Sequence, residues 1–283
     1  MLAPEAAHWL RGQGLEQVQA RSALGASASS QVSRYRFIQG TSVIWKEQPG
    51  MSFDFFQAEA DGLAALRAAT SLRVPRVYFV GEDGLLMEDL NPAPSSPRYW
   101  ESLGRGLAEL HQFRGPHFGF SGDNYCGLGP QINSPCADGH EFFATRRLLP
   151  QAQRATERGL LGGDLLRQIE QLCQRLPELI PPAPAVLVHG DLWSGNVIAD
   201  EQGEPALIDP AAYWGWAESD LAMTCQFGGF AGRFYDAYQE ASGMNGEWRS
   251  RAELLNLYHQ LNHLNLFGTL YAETVNSTLA RYR

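Results

Sequence analysis

Lysine is almost absent from this chain of 283 residues, because 21 of its 22 basic side chains are arginine and only Lys46 is lysine. Since the chain uses arginine everywhere else, this single lysine is either a coincidence or a requirement of its position. A requirement would mean that position 46 needs a compact, flexible ammonium group, which a planar guanidinium does not replace. The composition alone leaves both interpretations open.

Other absences exclude whole classes of protein. The four cysteines have no CxxC spacing, so neither a zinc site nor a disulfide framework is indicated. The N-terminus lacks a basic start followed by an apolar stretch, and no apolar run approaches the length of a membrane span. With a net charge of -9 and no basic cluster, nucleic acid is not an expected partner. We therefore expect a soluble cytoplasmic protein; its oligomeric state is not predicted.

The first 90 residues read as a β-rich lobe with one important helix. Residues 1–24 suggest a helix, 25–30 a turn of small residues, and 32–37 and 41–46 two strands. In a second helix, over 53–69, Glu59 falls on the apolar stripe formed by Phe55, Leu63 and Leu66. A carboxylate on an apolar stripe calls for a cationic partner unless it lies at the solvated edge. Two further strands are predicted at 76–80 and 84–88.

The second predicted lobe begins at a proline-rich linker. Three prolines within residues 91–97 interrupt both helix and sheet. After them the pattern is mostly helical, with short strands at 185–189, 197–199 and 206–208. The prediction is thus an α+β, two-lobed fold, with a β-rich N-lobe at 1–90 and a mostly helical C-lobe at 91–283.

The strongest local signal is a set of polar residues at the ends of short strands. An apolar strand ends in His189-Gly190-Asp191, Asn196 follows five residues after Asp191, and the next strand ends at Asp209. Phosphoryl transfer needs a carboxylate to accept a hydroxyl proton, and it needs oxygen ligands for Mg²⁺. Any one of these residues could be ordinary turn chemistry, but the ordered set resembles the catalytic loop and the metal-binding aspartate of protein-kinase-like enzymes.

This resemblance implies ATP and Mg²⁺ as cofactors and assigns roles in the N-lobe. Lys46 would contact the α- and β-phosphates, and Glu59 would pair with it. The small-residue turn would cover the phosphates, and the segment after the fifth strand would bind adenine through its backbone. The residues implied in nucleotide binding are Lys46, Glu59, Gly25, Ala26, Ser27, Glu88 and Leu90.

The chain also resembles a narrower family, the fructosamine kinases (ketosamine 3-kinases). The motifs that carry this resemblance are the Trp variant of the catalytic loop at 189–196, then 208–213, 218–224, 227–230 and 257–268, with 118–120, 123–125 and 130–133 before them. The resemblance covers roughly residues 20–270. It implies phosphorylation of the sugar 3-hydroxyl of a ketosamine, which makes the adduct unstable, releases the free amine and so repairs glycation.

On this resemblance Asp191 is the catalytic base, and Asn196 and Asp209 hold Mg²⁺. His189 and Asp220 support the catalytic loop, and Trp193 and Tyr213 contact the acceptor. His259 and His263, spaced i and i+4 on a leucine-rich helix, are expected to pack in the core rather than to bind metal.

Three departures from the family's pattern bear on the fit over ATP and on the acceptor. The phosphate turn at 25–28 has fewer glycines, and the stretches 127–129 and 215–218 are less polar than in the family. One alternative is therefore a kinase for another hydroxyl acceptor, such as an aminoglycoside, choline or homoserine. Another is a non-catalytic nucleotide-binding protein with a kinase fold.

Overall fold

The computed structural model describes residues 2–26 and 30–282. Its first part is built on an antiparallel sheet of five strands in the order β1-β2-β3-β5-β4. These strands are β1 (Val18–Ala26), β2 (Gln31–Phe37), β3 (Ser42–Glu47), β4 (Val77–Val80) and β5 (Gly84–Glu88).

The N-terminal segment differs from the sequence prediction of one helix through residue 24. The helix α1 (Pro4–Gly12) ends early, and β1 follows it. The side chains of residues 18–24 are exposed, so backbone hydrogen bonds to β2, rather than a buried face, hold the strand in place. Such a strand carries no apolar alternation, which is why hydrophobic periodicity did not reveal it.

The helix after β3 agrees with its prediction. Helix α2 (Phe53–Ala69) buries Phe55, Leu63 and Leu66, which the sequence placed on one face. Glu59 lies on this same face, next to the sheet, with a side chain only 9% exposed. The apolar stripe therefore places a carboxylate at the inner surface of the N-lobe.

The stretch 91–96 contains neither helix nor strand, and helices dominate after it. The position of the lobe boundary at residue 90 stays a prediction. The helices that follow are α3 (Tyr99–Leu110), α4 (Gly139–Phe142), α5 (Leu149–Glu157), α6 (Gly163–Leu179), α7 (Ala217–Met223), α8 (Gly232–Ser242), α9 (Ala252–Phe267) and α10 (Ala272–Arg281). A π-helical turn at Phe143–Leu148 joins α4 to α5.

Three small antiparallel strand pairs lie within this helical part. They are β6 (Asn124–Cys126) with β7 (Gly129–Gln131), β8 (Val186–Val188) with β11 (Tyr213–Gly215), and β9 (Val197–Ala199) with β10 (Pro205–Leu207). The loop at 189–196 connects β8 to β9, and Asp209 follows β10 by two residues. The strand ends thus bring the predicted catalytic loop and the predicted metal ligand together.

The architecture is α+β and two-lobed, as predicted. Among residues 2–26 and 30–282, no helix has both the length and the apolar character required to cross a membrane.

Candidate active site

The single lysine lies at the centre of a buried ionic cluster. Lys46, on β3, has a side chain only 8% exposed, and its Nζ is 2.8 Å from both carboxylate oxygens of Glu59. The same Nζ lies 2.8 Å from Oδ1 of Asp209, which belongs to the other lobe. Burial alone would lower the pKa of Lys46, but the carboxylates of Asp209 and Glu59 outweigh burial and raise it, so the ammonium stays charged.

The catalytic loop is fixed by a buried carboxylate from α7. Asp220 is 1% exposed and accepts hydrogen bonds from the backbone N–H groups of His189 (2.7 Å) and Gly190 (2.9 Å). Nε2 of His111 lies 3.2 Å from the same carboxylate. Burial opposes ionisation of Asp220, but the hydrogen bonds from His111 and Gly190 and the nearby imidazoles lower its pKa overall. Asp220 therefore acts as an anionic brace behind the loop.

Gly190 allows this loop to pass close to the neighbouring strand. Its φ is +82°, and a Cβ added there would lie 2.1 Å from the carbonyl oxygen of Ala211. Next to it, Nε2 of His189 donates to the carbonyl of Ile208 (2.9 Å), while Nδ1 of His189 accepts from the backbone N–H of Asp191 (3.3 Å). Gly190 and His189 thus define the direction in which Asp191 leaves the loop.

The carboxyl group of Asp191, next to Asn196, has a perturbed pKa. Burial raises its pKa to about 7, although the hydrogen bond from Asn196 works in the opposite direction. Nδ2 of Asn196 donates to the backbone carbonyl of Asp191 (2.8 Å) and to its Oδ2 (3.1 Å). A carboxylate whose pKa is near neutral is suited to accept a proton during catalysis and to release it afterwards.

Asp209 adopts a backbone conformation that is rare for a residue with a side chain. Its φ is +53°, and its side chain is 45% exposed although its Oδ1 contacts Lys46. Strained non-glycine residues of this kind cluster at functional sites, where the surrounding structure holds them in place. The main-chain carbonyl of Asp209 also lies 3.4 Å from Nδ2 of Asn196. These contacts place Lys46, Glu59, Asp191, Asn196 and Asp209 around one point between the lobes.

A cavity of about 450 Å³ opens at this point and has two chemically different ends. At the polar end it is lined by the five residues of the ionic cluster and the catalytic loop. At the other end the wall is largely aromatic, with Trp193 and Phe227 5.4 Å apart between ring centroids, and His263 and Tyr271 4.9 Å apart. Phe267 completes this wall, and Asp191, the predicted base, lines the same cavity.

The family model for fructosamine kinase matches residues 4–283. The chain belongs to the fructosamine kinase family. A relative from Enterococcus faecium named "probable ketoamine kinase" is 39% identical over 243 residues, covering 84% of this chain and 86% of that protein. Among crystal structures, a "putative fructosamine-3-kinase" from Thermobifida fusca is similar at 34% identity with a TM-score of 0.89, covering 100% of this chain and 99% of that one.

A more distant structure shows the wider fold of the fructosamine kinase family. The aminoglycoside phosphotransferase APH(2'')-IIa, solved in complex with gentamicin, superimposes with a TM-score of 0.67 at 14% identity. The superposition covers 100% of this chain and 96% of that one. At this identity the likeness is one of fold, and it agrees with the predicted two-lobed, kinase-like architecture.

The remaining residues predicted to contact nucleotide, which lie outside the ionic cluster, do not line the cavity or are not described. Gly25 and Ala26 end β1, and Ser27 lies outside the described residues. Glu88 and Leu90 are not among the residues that line the cavity, and the N–H of Glu88 already donates to the carbonyl of Arg76 at 2.8 Å. Adenine binding by this segment stays a prediction.

Tyr213 does not lie where the sequence prediction put it. Its side chain is 4% exposed and packs in the C-lobe core, with the guanidinium of Arg147 4.0 Å from its ring centroid. The ring is therefore part of the core and does not line the cavity. The sequence around Tyr213 did not indicate whether its side chain would face the core or the cavity, because side chains alternate between the two faces of a strand.

The two histidines of α9, both predicted to lie in the core, differ in the structure. His259 is buried as expected, and burial lowers its pKa to about 3. His263, by contrast, lines the cavity and contacts the rings of Phe227 and Tyr271. The i, i+4 spacing of the two histidines placed them on one side of α9, but it did not indicate that the cavity runs past only the second.

Proposed function

We propose that this protein transfers the γ-phosphoryl group of ATP to the 3-hydroxyl of a sugar in a ketoamine. The observation that carries the proposal is Asp191, a carboxylate with its pKa raised to about 7. It lines the same cavity as the ionic cluster of Lys46, Glu59 and Asp209 and the aromatic side chain of Trp193. The first neighbour suits a triphosphate, and the second suits the C–H face or the ammonium of a sugar amine.

In the proposed reaction Asp191 accepts the proton of the acceptor hydroxyl. The hydroxyl oxygen forms a bond to the γ-phosphorus, the bond from this phosphorus to the ADP oxygen breaks, and ADP leaves with that electron pair. Lys46, fixed by Glu59, offers a positive charge for the phosphates. The proton on Asp191 then passes to solvent, which returns the carboxylate to its starting state.

Asn196 and Asp209 would hold Mg²⁺. The amide hydrogens of Asn196 point at the oxygens of Asp191 and Asp209, so its amide oxygen is the atom that remains for a cation. The carboxylate of Asp209 is nearly half-exposed toward the cavity. Both are hard oxygen ligands of the kind that Mg²⁺ prefers, and the ion would supply neutralisation of phosphate charge.

The test mixes the purified protein with ATP, MgCl₂ and fructosyl-lysine, and ADP release is followed with and without the acceptor. We expect acceptor-dependent ADP well above the background hydrolysis of ATP, and its loss when the matched variant Asp191→Asn replaces the protein. A panel with an aminoglycoside, choline and homoserine runs in parallel. Faster turnover of one of these would change the acceptor, and no acceptor-dependent ADP from any of them would favour a non-catalytic nucleotide-binding protein. A cytoplasmic location belongs to this proposal and is supported by the unpaired cysteines.

A further inference from the structure

Three side chains that are typical ligands of transition metals meet at the catalytic base. They are Cys126 at the end of β6, Asp191 on the catalytic loop and His259 on α9. Nδ1 of His259 lies 3.8 Å from Sγ of Cys126 and 4.0 Å from Oδ1 of Asp191. All three ligand atoms lie within 4.8 Å of one another.

These separations are close to those of a zinc site. With metal–ligand bonds of about 2.0 Å to nitrogen or oxygen and about 2.3 Å to sulfur, neighbouring ligands of a tetrahedral Zn²⁺ are roughly 3.3–3.6 Å apart. Nδ1 of His259 is about 0.3 Å too far from Sγ of Cys126 and about 0.7 Å too far from Oδ1 of Asp191 for these values, so the side chains must rotate toward the ion when it binds. Three protein ligands leave a fourth position for water, as in open zinc sites.

The chemistry of this set differs from that of the proposed Mg²⁺ ligands. Thiolate and imidazole select borderline ions such as Zn²⁺ and Co²⁺, whereas Mg²⁺ prefers oxygen. Asn196 and Asp209 offer oxygen alone, while Cys126 and His259 offer sulfur and nitrogen. The two sets of ligands therefore prefer different ions, although Asp191 belongs to one set and lies next to the other.

Two of the three ligands, Cys126 and Asp191, line the cavity, and Nδ1 of His259 lies within 4.0 Å of a ligand atom of each. Cys126 is 2% exposed, and its backbone carbonyl accepts a hydrogen bond from Nδ2 of Asn262 at 3.0 Å. The second oxygen of Asp191 is fixed by Asn196. Because Cys126 and Asp191 both line the 450 Å³ cavity, an ion can enter through the opening that serves the substrates.

We propose that Cys126, Asp191 and His259 form a binding site for Zn²⁺, and that the bound ion inhibits the enzyme by taking the carboxylate of the catalytic base. When the ion binds, Cys126 releases its thiol proton to solvent and the ion replaces it, so no oxidation or reduction takes place. The inhibition rests on the proposed kinase function, whereas the binding site does not.

The binding arm uses Co²⁺ as a spectroscopic substitute for Zn²⁺ on the metal-free protein. We expect one equivalent of Co²⁺ to produce a thiolate-to-cobalt charge-transfer band in the near ultraviolet, and Zn²⁺ to displace it. Cys126→Ser should lose the band. His259→Gln should weaken Co²⁺ binding at least about 100-fold. This is the largest loss expected from removing a residue that only hydrogen-bonds to a metal ligand, so a larger loss indicates direct binding to the metal. The matched control replaces the other three cysteines, Cys136, Cys173 and Cys225, by serine and should keep the band.

A missing band in the wild-type protein, or a band that survives Cys126→Ser but not the triple replacement, would overturn the site. Thermal melts of each variant show whether it is folded, and His259→Gln provides a second route if Cys126→Ser does not fold.

The kinetic arm measures the Zn²⁺ concentration that halves the rate at fixed Mg·ATP, with each variant compared to its own metal-free rate. Cys126→Ser should require at least about 100-fold more Zn²⁺ than the wild type, while the triple-serine control should match the wild type. Equal sensitivity of Cys126→Ser would mean that Zn²⁺ acts through ATP or the Mg²⁺ ligands, and would overturn the inhibitory role. If no acceptor is phosphorylated at all, the proposed function fails, and the cobalt titration still decides the metal site.

Discussion

The raised pKa of Asp191 makes the rate of this enzyme depend on pH in a range where an ordinary aspartate would be indifferent. As the proposed base, Asp191 works only as a carboxylate, so activity should rise with pH through its pKa of about 7. With that value, about one tenth of Asp191 is ionised at pH 6 and about nine tenths at pH 8. We therefore expect kcat/KM to increase about tenfold over this interval, with a slope of about one below pH 6.5.

The assay measures acceptor-dependent ADP release between pH 5.5 and 8.5 with both substrates far below saturation, because kcat/KM then reports ionisations of the free enzyme. ATP also titrates in this range. The control is the pH profile of the fully ionised fraction of ATP, measured by phosphorus NMR in the same buffers, because Asp191→Asn is expected to have no measurable rate. The ratio of the two profiles isolates Asp191.

A ratio that stays flat from pH 5.5 to 8.5 would refute the reasoning, because it would mean that Asp191 is fully ionised throughout. In that case burial next to Asn196 does not raise the pKa of Asp191, although Asp191 keeps its place in the motif.

Three further variants test other parts of the site. Lys46→Arg keeps the charge but not the shape of a side chain that is only 8% exposed, so kcat/KM should fall on the order of 100-fold while the melting temperature changes little. Near-normal kinetics would mean that the single lysine is a coincidence. Gly190→Ala should lower the free energy of unfolding by at least about 2 kcal/mol, since its Cβ would meet the carbonyl of Ala211, whereas Gly122→Ala, with open space around it, should stay within about 0.5 kcal/mol. Asp191→Asn should stabilise the fold more at pH 8 than at pH 5, by up to about 3 kcal/mol in chemical denaturation. The reason is that a carboxyl group whose pKa is raised in the folded state destabilises the fold increasingly as the pH rises from its unfolded pKa near 4 to its folded pKa of about 7. An equal effect of the substitution at both pH values would contradict this.

The parts of the structure that could be predicted from the sequence are those determined by residues that lie close together along the chain. The catalytic loop and the strands on either side of it are local patterns, and β9 was predicted at Val197–Ala199, where the structure has it. Glu59 could be matched with Lys46 because a carboxylate on an apolar stripe and a single lysine each called for a partner, and the structure joins them at 2.8 Å.

The parts that escaped prediction depend on contacts between distant segments. Strand β1 is held by backbone hydrogen bonds to β2 and shows no apolar pattern. Cys126, Asp191 and His259 are separated by 65 or more positions along the chain, and only the tertiary fold brings their side chains within 4.8 Å. The inward turn of Tyr213 likewise follows from its packing on Arg147, a residue of another element.

The most direct test of the account is to identify the bond that the enzyme makes. Fructosyl-lysine incubated with the protein, ATP and MgCl₂ is purified and examined by phosphorus and proton NMR, with Asp191→Asn as the control. The account predicts a single new phosphate ester on the 3-oxygen of the sugar, formed by the wild-type protein and not by the variant. A phosphate on another oxygen, or the same product formed equally fast by Asp191→Asn, would contradict it.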